Sequence, residues 1–189
     1  MSVRVCSGAE LLDSVEAVRS AYLDAFAVPP WDEGDSEADA FATRLATNTG
    51  RPGFTAALAV QGERVLGFAT AWTTPVPFPA DRPYAQAEAA LGPERTRAWL
   101  CGALEIDELA LRPSAQGTGL GARLLDAVTH GCPEGRAWLL TSQRSARAMS
   151  FYRHLGWHQA THPCADGDGL VVFLGPRHPA RQLTVQPLY

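Results

Sequence analysis

The chain has 189 residues, of which 46% are hydrophobic and 19% are charged, a balance typical of one globular domain with a sizeable core. Its formal net charge of −4 argues against non-specific nucleic-acid binding, which requires a basic surface. No apolar run approaches the roughly 20 residues that span a bilayer, and the first residues do not resemble a signal peptide, so we expect no membrane association and a cytoplasmic location.

A short strand and two helices are predicted first. Residues 3–7 favour a strand, and Ser7 and Glu10 then have the capping-box spacing that begins a helix. Apolar residues follow at helical spacing over 11–26. A second box-like start at residue 36 predicts a helix that runs to about residue 48.

A β-hairpin and a long insert come next. Residues 54–61 and 64–73 favour strands, and Gly62 supplies the positive φ that a tight hairpin turn needs. Residues 74–99 begin with a proline-rich stretch, which excludes a regular element, and continue as a helical segment that Gly92-Pro93 interrupts.

The second half alternates strands with helices. Strands are predicted at 104–111, 136–142 and 170–174, helices at 119–130 and 145–155, and 157–161 as a hairpin partner of the last strand. This order predicts a mixed α/β or α+β fold with a central, mostly antiparallel sheet of six to seven strands, flanked by about four helices on both faces. One domain over 1–189 is expected, with the 74–99 insert between the third and fourth strands.

The segment 116–121, QGTGLG, is a glycine-rich turn at the start of a helix. Such a turn directs backbone N–H groups and the positive helix end at one point, which suits a phosphate or diphosphate. The same glycines fit a dinucleotide-binding fingerprint. That interpretation is weaker, because residues 112–116 separate the turn from the strand and the next strand ends without an acidic residue.

Two segments resemble signatures of the GNAT superfamily of N-acetyltransferases. Leu109–Pro113 followed by Gln116-x-x-Gly-x-Gly resembles its acetyl-CoA signature, and Ala148-x-x-Phe-Tyr-x-x-x-Gly-Trp157 resembles its second conserved stretch. The motifs cover about residues 104–157, in the family's order and spacing. The resemblance implies a GNAT-like fold and acetyl-CoA as co-substrate, with no metal.

The resemblance also implies which residues bind the co-substrate. Strand backbone would hold the pantetheine arm and the acetyl carbonyl, and the glycine turn would hold the diphosphate. The residues concerned are Leu109, Ala110, Leu111, Gln116, Gly117, Thr118, Gly119, Leu120, Gly121, Tyr152 and Ser145, the last of which stands where many members have Asn.

Catalytic roles follow from the same resemblance. Tyr152 would protonate the departing CoA thiolate, although its place on an apolar stripe also fits a core tyrosine. Glu105 matches the strand position where histone-modifying members carry a general base, and Asp107 is the second candidate. Strand alternation places Glu105 and Asp107 on one face and Glu108 on the other, unless a bulge intervenes.

The acceptor is the least determined part. Residues 31–39 carry five carboxylates and no basic residue, which suggests a cationic amine, although acidic residues at a helix start also fit the helix dipole. The resemblance implies that the acceptor is a primary amine of a small molecule, a peptide or a protein. The 74–99 insert is either a lid over the acceptor pocket or a homodimer contact.

The cysteines and histidines indicate no further chemistry. Cys6, Cys101, Cys132 and Cys164 form no CxxC pair, and the histidines have no metal-binding spacing, so neither a metal site nor a disulfide framework is expected. Two alternatives to an N-acetyltransferase stay open at this point. They are a CoA-binding sensor without turnover and, less favoured, a dinucleotide-dependent oxidoreductase.

Overall fold

The computed structural model describes residues 1–81, 83–162 and 169–183. The strands are β1 (Ser2–Cys6), β2 (Thr55–Gln61), β3 (Arg64–Thr73), β4 (Leu104–Leu111), β5 (Ala137–Ser142), β6 (His158–Gln159) and β7 (Leu170–Leu174). The helices are α1 (Gly8–Leu12), α2 (Val15–Phe26), α3 (Asp35–Asn48), α4 (Tyr84–Leu91), α5 (Pro93–Arg95), α6 (Leu120–Thr129) and α7 (Ala146–His154). None of these helices has the length and apolar character needed to span a bilayer.

The strands form one sheet in the order β1-β2-β3-β4-β5-β7-β6. Neighbouring strands run antiparallel at β1–β2, β2–β3, β5–β7 and β6–β7. The pair β4–β5 is parallel, with residues 104–106 beside residues 137–139. The predicted fold class is therefore confirmed. More helices form than the sequence predicted, because the first helix divides between α1 and α2 and the insert contains two helices.

The chain divides into two compact units. The first contains residues 1–72 and 107–131, and the second contains residues 73–106 and the chain from residue 132 onward. β4 contributes its first three residues to the second unit and the rest to the first. The expectation of a single domain stays a prediction.

The first unit has a core between α2, α3 and one face of its strands. Tyr22 and Phe41 stack with ring centroids 4.2 Å apart, and Phe41 in turn lies 5.3 Å from Phe68 of β3. Leu58 and Phe68 are fully buried, and burial of a side chain of this size contributes about 1.5–3 kcal/mol. α6 packs against β1 and β2.

Helix starts confirm one predicted cap and correct the other. Ser7 and Glu10 form the predicted capping box at α1. The second box does not begin at residue 36. Instead the N–H of Gly34 donates to Glu37 Oε2 at 2.9 Å, so α3 begins at Asp35. A glutamate three residues into the helix is long enough to reach the backbone before it, which fixes the earlier start.

The insert is part of the core of the second unit. Tyr84, Trp99 and Leu100 pack with Trp138 of β5 and with Leu174 of β7, and all five are buried. The large apolar side chains of the insert are therefore buried against apolar neighbours within the second unit.

Candidate active site

The glycine turn of the first unit has the geometry of an anion-binding loop. Gly117 and Gly119 have φ of +76° and +80°, which only glycine adopts without strain, and open space lies where a Cβ would stand. Gly119 is the N-cap of α6, so no side chain occupies the helix start. A ligand can approach the backbone N–H groups at the positive helix end.

Side chains around the turn brace it against the end of β4. Thr118 Oγ1 donates to the carbonyl of Ala115 at 2.6 Å, and Gln116 Nε2 donates to the carbonyl of Leu111 at 3.3 Å. Both polar side chains are therefore engaged with backbone.

Beside the turn, β4 approaches β3 closely at a glycine. A Cβ on Gly67 would stand 2.4 Å from the carbonyl oxygen of Ala110 and 2.5 Å from Leu111 Cδ2. Leu109, Ala110 and Leu111 thus lie in a strand whose position depends on Gly67. This strand backbone is the one that the sequence assigned to the pantetheine arm.

Asp107, two residues before this stretch, contacts β3. Its Oδ2 accepts a hydrogen bond from Thr70 Oγ1 at 3.2 Å. Ala110, three residues later, belongs to the core cluster that contains Phe68.

β4 carries two adjacent carboxylates whose pKa values are raised. Burial raises the pKa of Asp107 to about 6, although the hydrogen bond from Thr70 and the charges of Arg44 and Arg51 oppose the rise. Burial also raises the pKa of Glu108 well above its ordinary value, helped by the charges of Asp107 and Glu33. Asp107 nevertheless has an exposed surface, so water still reaches part of this residue.

Glu33 joins this acidic region from the loop between α2 and α3. Tyr22 Oη donates to Glu33 Oε2 at 2.6 Å. Burial raises the pKa of Tyr22, and the charges of Glu108 and Glu33 raise it further. Three carboxylates therefore act on one region of the first unit.

Three of the other acidic residues of the 31–39 segment, Asp35, Glu37 and Asp39, have structural partners. Asp35 and Asp39 pair with Arg19 at 2.8 Å and 2.5 Å, and Glu37 caps α3. Asp32 is exposed and has φ of +50°. Of the five carboxylates, Glu33 accepts a hydrogen bond from a phenol rather than pairing with Arg19 or capping a helix.

In the second unit, Glu105 forms a buried hydrogen bond. The Oη of Tyr84 donates to Glu105 Oε1 at 2.7 Å, and each of the two residues is only 6% exposed. A carboxylate buried to this degree requires such partners. The insert therefore supplies a phenol to the residue that the sequence favoured as general base.

Ser145 and Tyr152 also lie in the second unit. Ser145 Oγ accepts a hydrogen bond from the N–H of Ala148 at 3.3 Å and so acts as the N-cap of α7. Tyr152 is 8% exposed, and its ring lies 6.0 Å from Trp157 and 5.9 Å from Phe173 between centroids. The ring packs in the core, as the alternative interpretation of Tyr152 had it, and its proposed chemistry concerns the hydroxyl alone.

The structure thus divides the sequence-predicted residues between the units. Asp107, residues 109–111 and residues 116–121 are in the first, whereas Glu105, Ser145 and Tyr152 are in the second. The sequence did not single out Tyr84 or the pairing of Tyr22 with Glu33. No local pattern marks either tyrosine, since each meets its carboxylate through tertiary packing.

The last features of the described residues are their cysteine thiols and their possible metal ligands. Cys6, Cys101 and Cys132 are free thiols, and Cys164 lies outside the described residues. Within the described part of the chain, no group of three or more His, Cys, Asp or Glu side chains is arranged to hold a metal ion.

Comparisons with known proteins identify a family. The model of the acetyltransferase (GNAT) family matches residues 15–157. Comparison with curated proteins gives no match.

Solved structures share the fold at low sequence identity. An acetyltransferase from Thermus thermophilus has a TM-score of 0.55 at 15% identity, covering 92% of this chain and 96% of that one. The PaiA N-acetyltransferase from Thermoplasma acidophilum in complex with coenzyme A has a TM-score of 0.55 at 14% identity, covering 93% and 99%. The ribosomal-protein-S18-alanine N-acetyltransferase from Escherichia coli has a TM-score of 0.52 at 18% identity, covering 100% and 99%.

Proposed function

The chain belongs to the GNAT family of acetyltransferases, and we propose that it transfers the acetyl group of acetyl-CoA directly to a primary amine of a small molecule or peptide. The observation that carries the proposal is the open glycine turn at the start of α6. Gly117 and Gly119 leave space beside main-chain N–H groups, which is the shape a diphosphate needs.

The residues present fit acetyl-CoA as co-substrate. The turn offers backbone donors at the positive end of a ten-residue helix, and the neighbouring strand offers backbone groups at residues 109–111. A solved neighbour with this fold was determined with coenzyme A bound, which supports the same ligand here. Acetyl-CoA supplies the activated thioester, and the chain supplies binding and proton transfer.

The reaction requires that the acceptor lose a proton. A carboxylate of β4, Glu105 or Asp107, takes a proton from the acceptor ammonium, directly or through water. The neutral amine then forms the new C–N bond to the acetyl carbon as the C–S bond breaks. The nitrogen releases a second proton, and the thiolate gains one, so the products are the acetamide, the CoA thiol and one proton.

The two candidate bases differ in their surroundings. The pKa of Asp107 is raised to about 6, so most Asp107 side chains are charged and able to accept a proton at neutral pH. Glu105 is buried and held by the phenol of Tyr84, which suits a base that acts through water. Glu105→Gln and Asp107→Asn distinguish them, because only loss of the true base lowers kcat by orders of magnitude.

We propose Tyr152 as the residue that gives a proton to the thiolate. Its ring is fixed by Trp157 and Phe173, so its hydroxyl has a defined position. Tyr152→Phe keeps the packed ring and removes the hydroxyl. A large fall in kcat with an unchanged melting temperature would support catalysis, whereas an unchanged kcat would leave Tyr152 as a core residue.

Direct transfer is favoured over an acetylated cysteine. Burial raises the pKa of both Cys101 and Cys132, so their thiols stay protonated at neutral pH and are poor nucleophiles. A bound thioester and an oriented amine suffice through proximity.

A cationic amine is the acceptor that the first unit fits best. Glu33 and Asp107 place negative charge there, whereas Asp35 and Asp39 pair with Arg19 and Glu37 caps α3. We keep a cytoplasmic location as a proposal as well, since free thiols suit a reducing compartment. A homodimer stays a prediction.

The experiment is a thiol-release assay with acetyl-CoA and a panel of amines. Release that depends on an amine, with the acetamide detected by mass spectrometry, supports the proposed function. Binding of acetyl-CoA without turnover on any amine would support the CoA-binding sensor instead.

A further inference from the structure

We propose that Tyr84, which the 74–99 insert contributes, is a positioning residue for Glu105. Its phenol holds the carboxylate in the orientation from which it receives the acceptor's proton. This inference rests on the proposed function, with Glu105 as the general base.

The hydrogen bond itself is the first argument. Tyr84 Oη lies 2.7 Å from Glu105 Oε1, within a buried environment. A neutral phenol that donates to a carboxylate forms a charge-assisted hydrogen bond, which is shorter and stronger than a neutral one. It stabilises one orientation of the carboxylate.

The fixed ring of Tyr84 is the second argument. Phe78 meets the Tyr84 ring edge-on at 5.4 Å between centroids, and the Trp138 ring lies 6.4 Å away. Trp138 is itself held, because its Nε1 donates to Thr74 Oγ1 at 2.7 Å. The phenol oxygen is therefore placed by a packed aromatic cluster, and it can define the position of the carboxylate.

The choice of residue types is the third argument. A buried carboxylate costs free energy even when it is paired, and an apolar pair of similar volume often stabilises a core as well. Tyr84 sits at the first position of α4, where its ring packs in the cluster like any aromatic residue. The hydroxyl is the part of Tyr84 that reaches Glu105.

The test is a double-mutant cycle with Tyr84→Phe and Glu105→Gln. Tyr84→Phe should lower kcat about tenfold and change KM for acetyl-CoA and for the acceptor less than twofold, because the base is misplaced while both substrates still bind. In the Glu105→Gln background, Tyr84→Phe should lower kcat no further. A purely structural tyrosine would reduce activity equally in both backgrounds.

A packing control accompanies the cycle. Trp99→Phe changes the same buried cluster without touching either member of the pair, so it should lower the melting temperature and leave kcat unchanged. If Tyr84→Phe does not fold, 3-fluorotyrosine at position 84 replaces it. This near-isosteric phenol is a stronger donor, and kcat must change if the hydroxyl positions the base.

The outcomes separate the two proposals. A wild-type protein that acetylates no amine refutes the proposed function. An active wild type whose kcat survives Tyr84→Phe, or whose loss persists equally in the Glu105→Gln background, refutes the role of Tyr84 alone.

Discussion

Replacing Asp107 by Asn should stabilise the protein at neutral pH, although Asp107 is one of the two candidates for the general base. Burial raises the pKa of Asp107 from an ordinary 3.8 to about 6, so folding works against its charged form. Asn has almost the same shape, and its side-chain oxygen can still accept the hydrogen bond from Thr70 Oγ1.

The sign follows from proton binding. Below about pH 4 both states keep the proton, and Asp107 has little effect on stability. Between about pH 4 and 6 the unfolded chain loses the proton first, so the free energy of unfolding falls as pH rises. Above about pH 6 both states have lost the proton, so the destabilisation has its full size and no longer changes with pH. The advantage of Asp107→Asn should therefore grow between pH 4 and 6 and then stay level.

The magnitude follows from the size of the pKa change. Two pH units correspond to at most about 3 kcal/mol. Because Asp107 has an exposed surface, solvent screening reduces this, and we expect about 1 kcal/mol. For a chain of this length the melting temperature should rise by about 2–4 °C at pH 7.

The assay is urea unfolding from pH 4 to 8, with Glu63→Gln as the control. Glu63 is an exposed carboxylate at the hairpin turn, so its replacement should leave stability nearly unchanged. A variant Asp107→Asn that is less stable than the wild type at pH 7, or whose advantage is the same at every pH, would refute the reasoning.

Three further predictions concern the first unit. Gly67→Ala should destabilise the protein by about 1–3 kcal/mol and weaken acetyl-CoA binding, because the new Cβ meets the carbonyl of Ala110 at 2.4 Å. Chemical unfolding and calorimetric titration measure the two effects, and unchanged binding would contradict the proposed role of the strand backbone. Arg112→Met should lower the free energy of unfolding by about 2 kcal/mol, because Arg112 Nε donates to the buried carbonyl of Val65 at 2.8 Å and its guanidinium also pairs with Asp24. A variant as stable as the wild type in chemical unfolding would contradict this. Glu33→Gln should raise KM for a cationic acceptor several-fold with KM for acetyl-CoA unchanged, and an unchanged acceptor KM in steady-state kinetics would remove Glu33 from acceptor binding.

The elements and their order were predictable because they depend on local signals. The Ser7–Glu10 box and the Gly62 hairpin turn are fixed by residues a few positions apart, and both are present. The predicted pairing of 157–161 with the last strand is confirmed by β6 and β7.

The site was predictable only in part, because its remaining features depend on residues far apart in the chain. Tyr84 and Glu105 are 21 positions apart, and Thr70 and Asp107 are 37 apart. No sequence pattern indicates that burial will raise the pKa of a carboxylate, as it does at Glu108.

The central claim is that the glycine turn binds acetyl-CoA. Calorimetric titration of the purified protein with acetyl-CoA, free CoA and NAD tests it most directly, with Gly119→Asp beside the wild type. Aspartate at this positive-φ position strains the turn and places a negative charge beside the diphosphate. We expect micromolar binding of acetyl-CoA and CoA, none of NAD, and a large loss of affinity in the variant. Absence of CoA binding, or a preference for NAD, would contradict the account.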